Sequence, residues 1–302
     1  MRGSVRARVH ILSDSVTVLI SIFAVLLGLA LGSFLNVCIS RLPRHESVLR
    51  PRSHCPRCLT PILNRDNIPL LSWMLLRARC RSCGARIPVR YPLIEAATAA
   101  LFLLCYFEFG LTLHGVASAV LCWLLLGLAA TDAETLLLPD ALTLPGLALA
   151  VVYAGLENTA GLPGLGLTTA DHASAWDLAV RFSWMAAAEA LLWAACASAL
   201  VLLIRGLYWL VRRREGIGLG DAKLLAMIAA WLGPWQAGLV FFLAVVCAAA
   251  YGLGQIGWVR LRRSAGNTLV ARIPLGAFLC AAGVLSLFEG ESILAWYLGF
   301  FR

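Results

Sequence analysis

Eight apolar runs, most of them close to the ~20 residues that cross a bilayer as a helix, restrict this chain to very few folds. They cover 16–37, 93–109, 111–130, 141–156, 183–204, 222–232, 237–257 and 273–300. Charged residues make up only 14% of the sequence, against 61% hydrophobic. A soluble domain cannot bury that much apolar surface. The reading is an all-α polytopic membrane protein of about eight transmembrane helices, with the lipid bilayer as its main partner. The run at 222–232 is too short for a full crossing. It is expected to be either a short tilted span or a half-helix buried in protein, since irregular backbone at membrane depth is tolerated only away from lipid.

Arginine placement orients the spans. The net charge is +9, with Lys223 the sole lysine. Segment 41–90 alone holds eleven arginines against Glu46 and Asp66. The positive-inside rule therefore puts that segment in the cytoplasm, and makes nucleic acid an unnecessary explanation for the basic charge. Counting spans from there leaves 157–181 outside, with Asp171 and His172 solvated. It returns Arg212, Arg213 and Arg214 to the cytoplasm, as it does Arg260, Arg262 and Arg263. Arg2, Arg6 and Arg8 precede the first run, which is too long for a signal-peptide core and lacks a small-x-small cleavage site; an uncleaved span is expected.

Ten cysteines are present, and six of them stand singly in apolar runs, where they read as small buried hydrophobes. The other four form Cys55-Pro56-Arg57-Cys58 and Cys80-Arg81-Ser82-Cys83, with 21 residues between the pairs. Two C-x-x-C knuckles at this spacing offer four thiolates to one tetrahedral zinc ion. A cytoplasmic location disfavours disulfides, and a polar insert of this size cannot build much core without a staple.

Two acids at the ends of apolar runs carry the chemistry. Asp221 stands in Gly216-Ile217-Gly218-Leu219-Gly220-Asp221-Ala222-Lys223, between Arg212-Arg213-Arg214 and the apolar run that follows. An acid at the mouth of a membrane helix is costly unless it faces protein or water, although Asp221 could do no more than cap that helix. Asp132 follows the run 111–130 and precedes Leu136-Leu137-Leu138-Pro139-Asp140. Two carboxylates at helix ends on one side of a membrane suit an aspartyl protease, one acting on a water as base while the other protonates the carbonyl. Glu134 is a competing acid expected to face headgroup water. Asp140, just after Pro139, is expected to cap the next helix. Asn36 and Ser33 share a helix face, fit for interhelical hydrogen bonding or a functional role.

These motifs resemble a family. Gly218-Leu219-Gly220-Asp221 looks like the G-x-G-D signature of intramembrane aspartyl proteases, and Asp132 with Leu138-Pro139-Asp140 resembles the first motif of type IV prepilin peptidases. Gly32-Ser33-Phe34-Leu35-Asn36-Val37, Arg41-Leu42-Pro43, Asn67-Ile68-Pro69, Ser72-Trp73, Arg79-Cys80-Arg81 and Arg90-Tyr91-Pro92-Leu93-Ile94-Glu95 resemble the family's first-span exit and loop. Ala78 and Pro88 depart from its usual glycine and serine. The resemblance runs from about residue 28 to 235 and rests on four separate motifs in the right order.

The resemblance implies an enzyme of the bacterial cytoplasmic membrane with Asp132 and Asp221 catalytic. It would remove the short basic leader of type IV prepilins or pseudopilins at the cytoplasmic face. It also implies S-adenosylmethionine as donor for methylating the new N-terminus; no glycine-rich cofactor fingerprint accompanies that activity. The expected division is a first segment at 1–40, a zinc-ribbon-like insert at 41–92 bound through Cys55, Cys58, Cys80 and Cys83, and a peptidase domain at 93–302. Two other classes stay open: an ion-coupled transporter using intramembrane acids, with 218–234 as a discontinuous helix, and a non-catalytic assembly protein docking through the ribbon.

Overall fold

A computed structural model describes residues 2–160, 183–214, 216–261 and 273–300. Most of the expected outer loop at 157–181, with Asp171 and His172, lies outside the described residues, as do Arg262 and Arg263. The helices are α1 (Arg2–Arg41), α2 (Leu71–Leu75), α3 (Arg90–Phe109), α4 (Leu113–Thr135), α5 (Asp140–Ala160), α6 (Trp184–Arg212), α7 (Leu219–Leu261) and α8 (Leu275–Gly299). No strand occurs among the described residues. All but α2 are long and apolar enough to cross a membrane, so the chain is a multi-pass membrane protein. The eight apolar runs become seven candidate spans because 222–232 and 237–257 belong to one helix, α7, broken at Gly233.

The chain divides into two compact units, 1–123 and 124–302, with the division inside α4. In the first unit α1 packs on α3 through a stripe one helical turn apart: Gly28, Gly32, Asn36, Ser40. A Cβ on Gly28 would sit 2.6 Å from the Ala99 Cα, and one on Gly32 would sit 2.8 Å from the Glu95 Cα. Only glycine lets the two backbones come this close, the small-xxx-small device of membrane helices. Below the glycines the stripe turns polar. Asn36 Nδ2 donates to the Tyr91 carbonyl at 3.0 Å, and Arg90 Nη2 donates to Ser40 Oγ at 2.9 Å. The interhelical role expected for Asn36 is therefore present.

The insert hangs from the same two helices. Arg41, buried at the end of α1, donates to the carbonyls of Ser47 and Pro51 at 2.9 and 2.8 Å and so shapes the chain as it leaves the helix. Glu95, buried on α3, accepts from the Leu70 N–H at 2.8 Å. That N–H is an orphan donor at the start of α2, so the carboxylate acts as a helix cap supplied from another element.

The second unit is sewn along an alanine seam: Ala150 of α5, Ala190 and Ala194 of α6, Ala226 and Ala230 of α7. Trp231 closes one edge, stacking on Tyr153 with ring centroids 5.3 Å apart and donating to the Gly146 carbonyl at 3.0 Å. Residues 222–230 of α7 are buried on every side except Lys223. A helix apolar all round needs such an environment. Gly233 ends it with φ 80 and ψ 174, a backbone conformation open essentially to glycine alone. Pro234 follows, and it has no N–H with which to continue the ladder.

Candidate active site and metal centre

The four cysteines of the insert come together. Cys55, Cys58, Cys80 and Cys83 place their Sγ atoms within 4.8 Å of one another, and Cys55 and Cys83 are 3.8 Å apart. Two copies of one turn make the cluster. In the first, the Leu59 N–H donates to the Cys55 carbonyl at 2.9 Å and the Cys55 N–H to the Thr60 carbonyl at 3.0 Å. In the second, Gly84 donates to Cys80 at 3.0 Å and Cys80 to Ala85 at 2.8 Å. Each turn bends through a left-handed residue after its second cysteine, Leu59 (φ 58) and Gly84 (φ 68), and each is closed by a bridge, His54 to Pro61 and Arg79 to Arg86. This is the pair of knuckles expected from the spacing.

The four thiols do not share one environment: Cys83 is pushed up to about 11, a backbone hydrogen bond from Ala85 being outweighed by burial and by the neighbouring sulfurs. Hydrogen bonding with Thr60, whose hydroxyl is 3.3 Å from Cys58 Sγ, holds the Cys58 thiol down at about 6. Around the centre, Asp66 accepts from Arg81 Nε at 2.9 Å and from Nη2 at 2.6 Å, tying the 64–66 turn to the second knuckle. The Arg81 guanidinium holds the Asp66 carboxyl below the usual carboxylate range.

In the second unit Asp132 stands near the end of α4 and Asp221 in the first turn of α7. Asp132 is 5% exposed, and its Oδ2 accepts from the Ala277 N–H at 2.8 Å, in the first turn of α8. The Asp221 Oδ2 accepts from the Gly218 N–H at 3.2 Å, the reach-back half of a capping box. The capping role is therefore met, by one oxygen. The two carboxylates lie within electrostatic range of each other, and buried Cys280 of α8 lies within range of both. The sequence-predicted acids are thus brought together at three helix ends.

Leu138 fills the space beside them. A Cβ on Gly220 would be 3.0 Å from the Leu138 Cβ, and one on Gly276 would be 3.0 Å from its Cδ1 and 2.9 Å from Asp132 Oδ2. Glycine at both positions leaves room for the leucine and for the carboxylate. Sequence reasoning missed Gly276 and Ala277, because a backbone N–H donor carries no side-chain signature. The other acids go elsewhere. Glu134 is exposed. Asp140 opens α5, but its two carboxylate oxygens take Lys223 Nζ, at 2.7 and 2.8 Å. The capping role expected for Asp140 is replaced by this ion pair.

Residues 26–109 match the family model described as the bacterial peptidase A24 N-terminal domain, and residues 119–253 match that of the type IV leader peptidase family. Several relatives carry the name prepilin leader peptidase/N-methyltransferase, among them three from different genera. That of Myxococcus xanthus is 39% identical over 236 residues, covering 78% of this chain and 63% of its own length. That of Aeromonas salmonicida is 35% identical over 304 residues, covering 90% and 92%. That of Pseudomonas aeruginosa is 35% identical over 302 residues, covering 91% and 92%. No solved structure matches the chain. Nothing in these likenesses supports the transporter alternative.

Proposed function

The chain belongs to the type IV leader peptidase family, and on that premise we propose that it is a membrane aspartyl endopeptidase that cuts the leader from type IV prepilins or pseudopilins and then methylates the new N-terminus. The observation that carries the reading is the meeting of Asp132 and Asp221, each with one oxygen on a backbone N–H. Those donors orient the carboxylates without engaging a side chain. A water between them loses its proton to one carboxylate as its oxygen attacks the scissile carbonyl carbon. The other, protonated carboxyl gives its proton to the carbonyl oxygen. Collapse of the tetrahedral intermediate returns a hydroxyl proton to the second carboxylate and breaks the C–N bond, and the leaving amine takes up the proton held by the first carboxylate.

The Cys55, Cys58, Cys80 and Cys83 cluster fits zinc. At a Zn–S distance of ~2.3 Å a tetrahedral centre has sulfurs about 3.8 Å apart; Cys55 and Cys83 stand at that spacing, and all four Sγ atoms lie within 4.8 Å of one another. Four thiolates leave no position for a catalytic water, so the ion would be structural. The division proposed is a first segment at 1–40, the zinc insert at 41–92 and the peptidase domain at 93–302. The insert and both aspartates are proposed to face the cytoplasm of a bacterial inner membrane, as the arginine distribution supports. S-adenosylmethionine would supply the methyl group for the new amine. Among the described residues no strand-to-helix glycine-rich turn offers it a cradle.

The test is direct. Purified protein in detergent, incubated with a prepilin with and without S-adenosylmethionine, should yield the leader and a mature pilin, heavier by one methyl group only when the donor is present. An unchanged prepilin mass would overturn the reading.

A further inference from the structure

An ion pair that joins the two acid-bearing segments is partly exposed, 43% at Lys223 and 55% at Asp140. A pair this open to water adds little to stability, yet it uses the only lysine in the chain. Its position suggests another use. Lys223 lies two residues beyond Asp221, and Asp140 lies eight beyond Asp132. Between them Leu138 sits against Gly220, next to Asp221, and against Gly276, next to the N–H that holds Asp132. The contacts run as a chain from one acid to the other: Asp132, Ala277, Gly276, Leu138, Gly220, Asp221. Burial does little to hold the 136–140 turn, since Leu136 and Leu137 are exposed and Leu136 carries a left-handed φ of 55; its backbone is tied at its two ends, by the Leu136 N–H on the Asp132 carbonyl at 2.9 Å and by the Pro139 carbonyl, which accepts from the Leu142 and Thr143 N–H groups.

We propose that Lys223 and Asp140 are positioning residues: their ion pair pins the 136–140 turn, keeps Leu138 between Gly220 and Gly276, and so sets the separation of the two aspartates. Neither residue touches the reacting atoms. The inference rests on the peptidase reading above, and Asp221→Asn measured in parallel keeps the two apart.

The test is steady-state cleavage by full-length protein in detergent, with thermal unfolding of each variant alongside. Lys223→Met and Asp140→Asn should each lower kcat about ten- to a hundredfold, the loss that a misplacement of ~1 Å produces. KM and the unfolding temperature should change little. Lys223→Arg should keep most of the rate. Combining Asp140→Asn with Lys223→Met should be no worse than the poorer single variant, because the partners act as a unit. Exchanging the charges, with Asp140→Lys and Lys223→Asp together, should recover rate over Asp140→Lys alone. The proposal is overturned if the single variants keep near-normal kcat, if their losses multiply, or if KM rises while kcat holds, which would make the pair a substrate contact. A loss of rate matched by a large fall in unfolding temperature, with no rescue by Lys223→Arg, would reduce the pair to a folding element. If Asp221→Asn itself cleaves normally, it is the peptidase assignment that fails.

Discussion

The Asp132 carboxylate accepts a 2.8 Å hydrogen bond from the Ala277 N–H and thereby fastens the end of α4 to the start of α8, 145 residues later. The acid is held by backbone, so a side-chain amide in its place can occupy the same volume. Asp132→Asn and Asp221→Asn should therefore fold, yet each should reduce cleavage at least a thousandfold, since an amide cannot cycle a proton; the double variant should be little worse, with losses on the order of those seen for catalytic groups that act as a unit. Product masses after single-turnover incubation check this. Normal cleavage by Asp132→Asn together with loss in Glu134→Gln would move the first acid by two residues.

Purified protein should carry about one zinc per chain, on the stoichiometry of a four-thiolate centre. Changing any of Cys55, Cys58, Cys80 or Cys83 to serine should abolish it, as read by elemental analysis. Freely alkylated cysteines in the folded, metal-free protein would contradict the assignment.

Asp66 is predicted to guard that metal from outside the ligand set. Its fork on Arg81 steadies the second knuckle, so Asp66→Asn should speed zinc loss to a chelator about ten- to a hundredfold, in line with other outer-sphere partners. The Arg81 charge lowers the Asp66 pKa in the fold. The contribution is therefore fully present above the unfolded carboxyl value of ~3.9 and fades only as pH falls through the lower folded value. Release measured at pH 7 and pH 5 should show the same difference between wild type and Asp66→Asn.

The glycine stripe of α1 gives a stability prediction. Gly32→Ala drives a methyl group to within 2.8 Å of the Glu95 Cα, which is backbone and cannot swing away. The variant should lose about 1–3 kcal/mol, the usual cost of overpacking, seen as a lower unfolding temperature in detergent. Gly206→Ala, at a position where a Cβ would meet nothing within 4 Å, is the control and should be neutral.

Orientation can be read in intact cells. A single cysteine placed at Arg65 should resist a membrane-impermeant thiol reagent and react once the membrane is opened. Rapid labelling from outside would reverse the proposed topology.

Much of this molecule is legible in its sequence, and the limits are physical. The cysteine knuckles could be read because a metal cluster demands fixed spacing, and both turns have the same form. Asp132 and Asp221 stand out in the sequence because carboxylates at the mouths of apolar runs are costly, and both do lie at helix ends. Gly28 and Gly32 left a signal that went unused: two glycines four apart in an apolar run are a contact motif. The Lys223–Asp140 pair left none, because opposite charges 83 residues apart can pair only after the helices between them have packed. Asp140 accordingly looked like a cap, a role set by local sequence, when its partner is a distant one.

The break at Gly233 has a further consequence, one of length. An uninterrupted helix of 43 residues would extend about 65 Å at 1.5 Å per residue, more than twice the ~30 Å hydrocarbon layer. Cut at Gly233, its first part covers only about 21 Å on the same rise. A segment that short cannot reach both faces of the layer, so the end bearing Asp221 need not be level with the lipid headgroups. Under the catalytic role proposed for Asp221, the depth at which a peptide bond must be presented to it is then a matter of where one glycine ends a helix, and moving that glycine by a turn would shift the depth by ~5.4 Å.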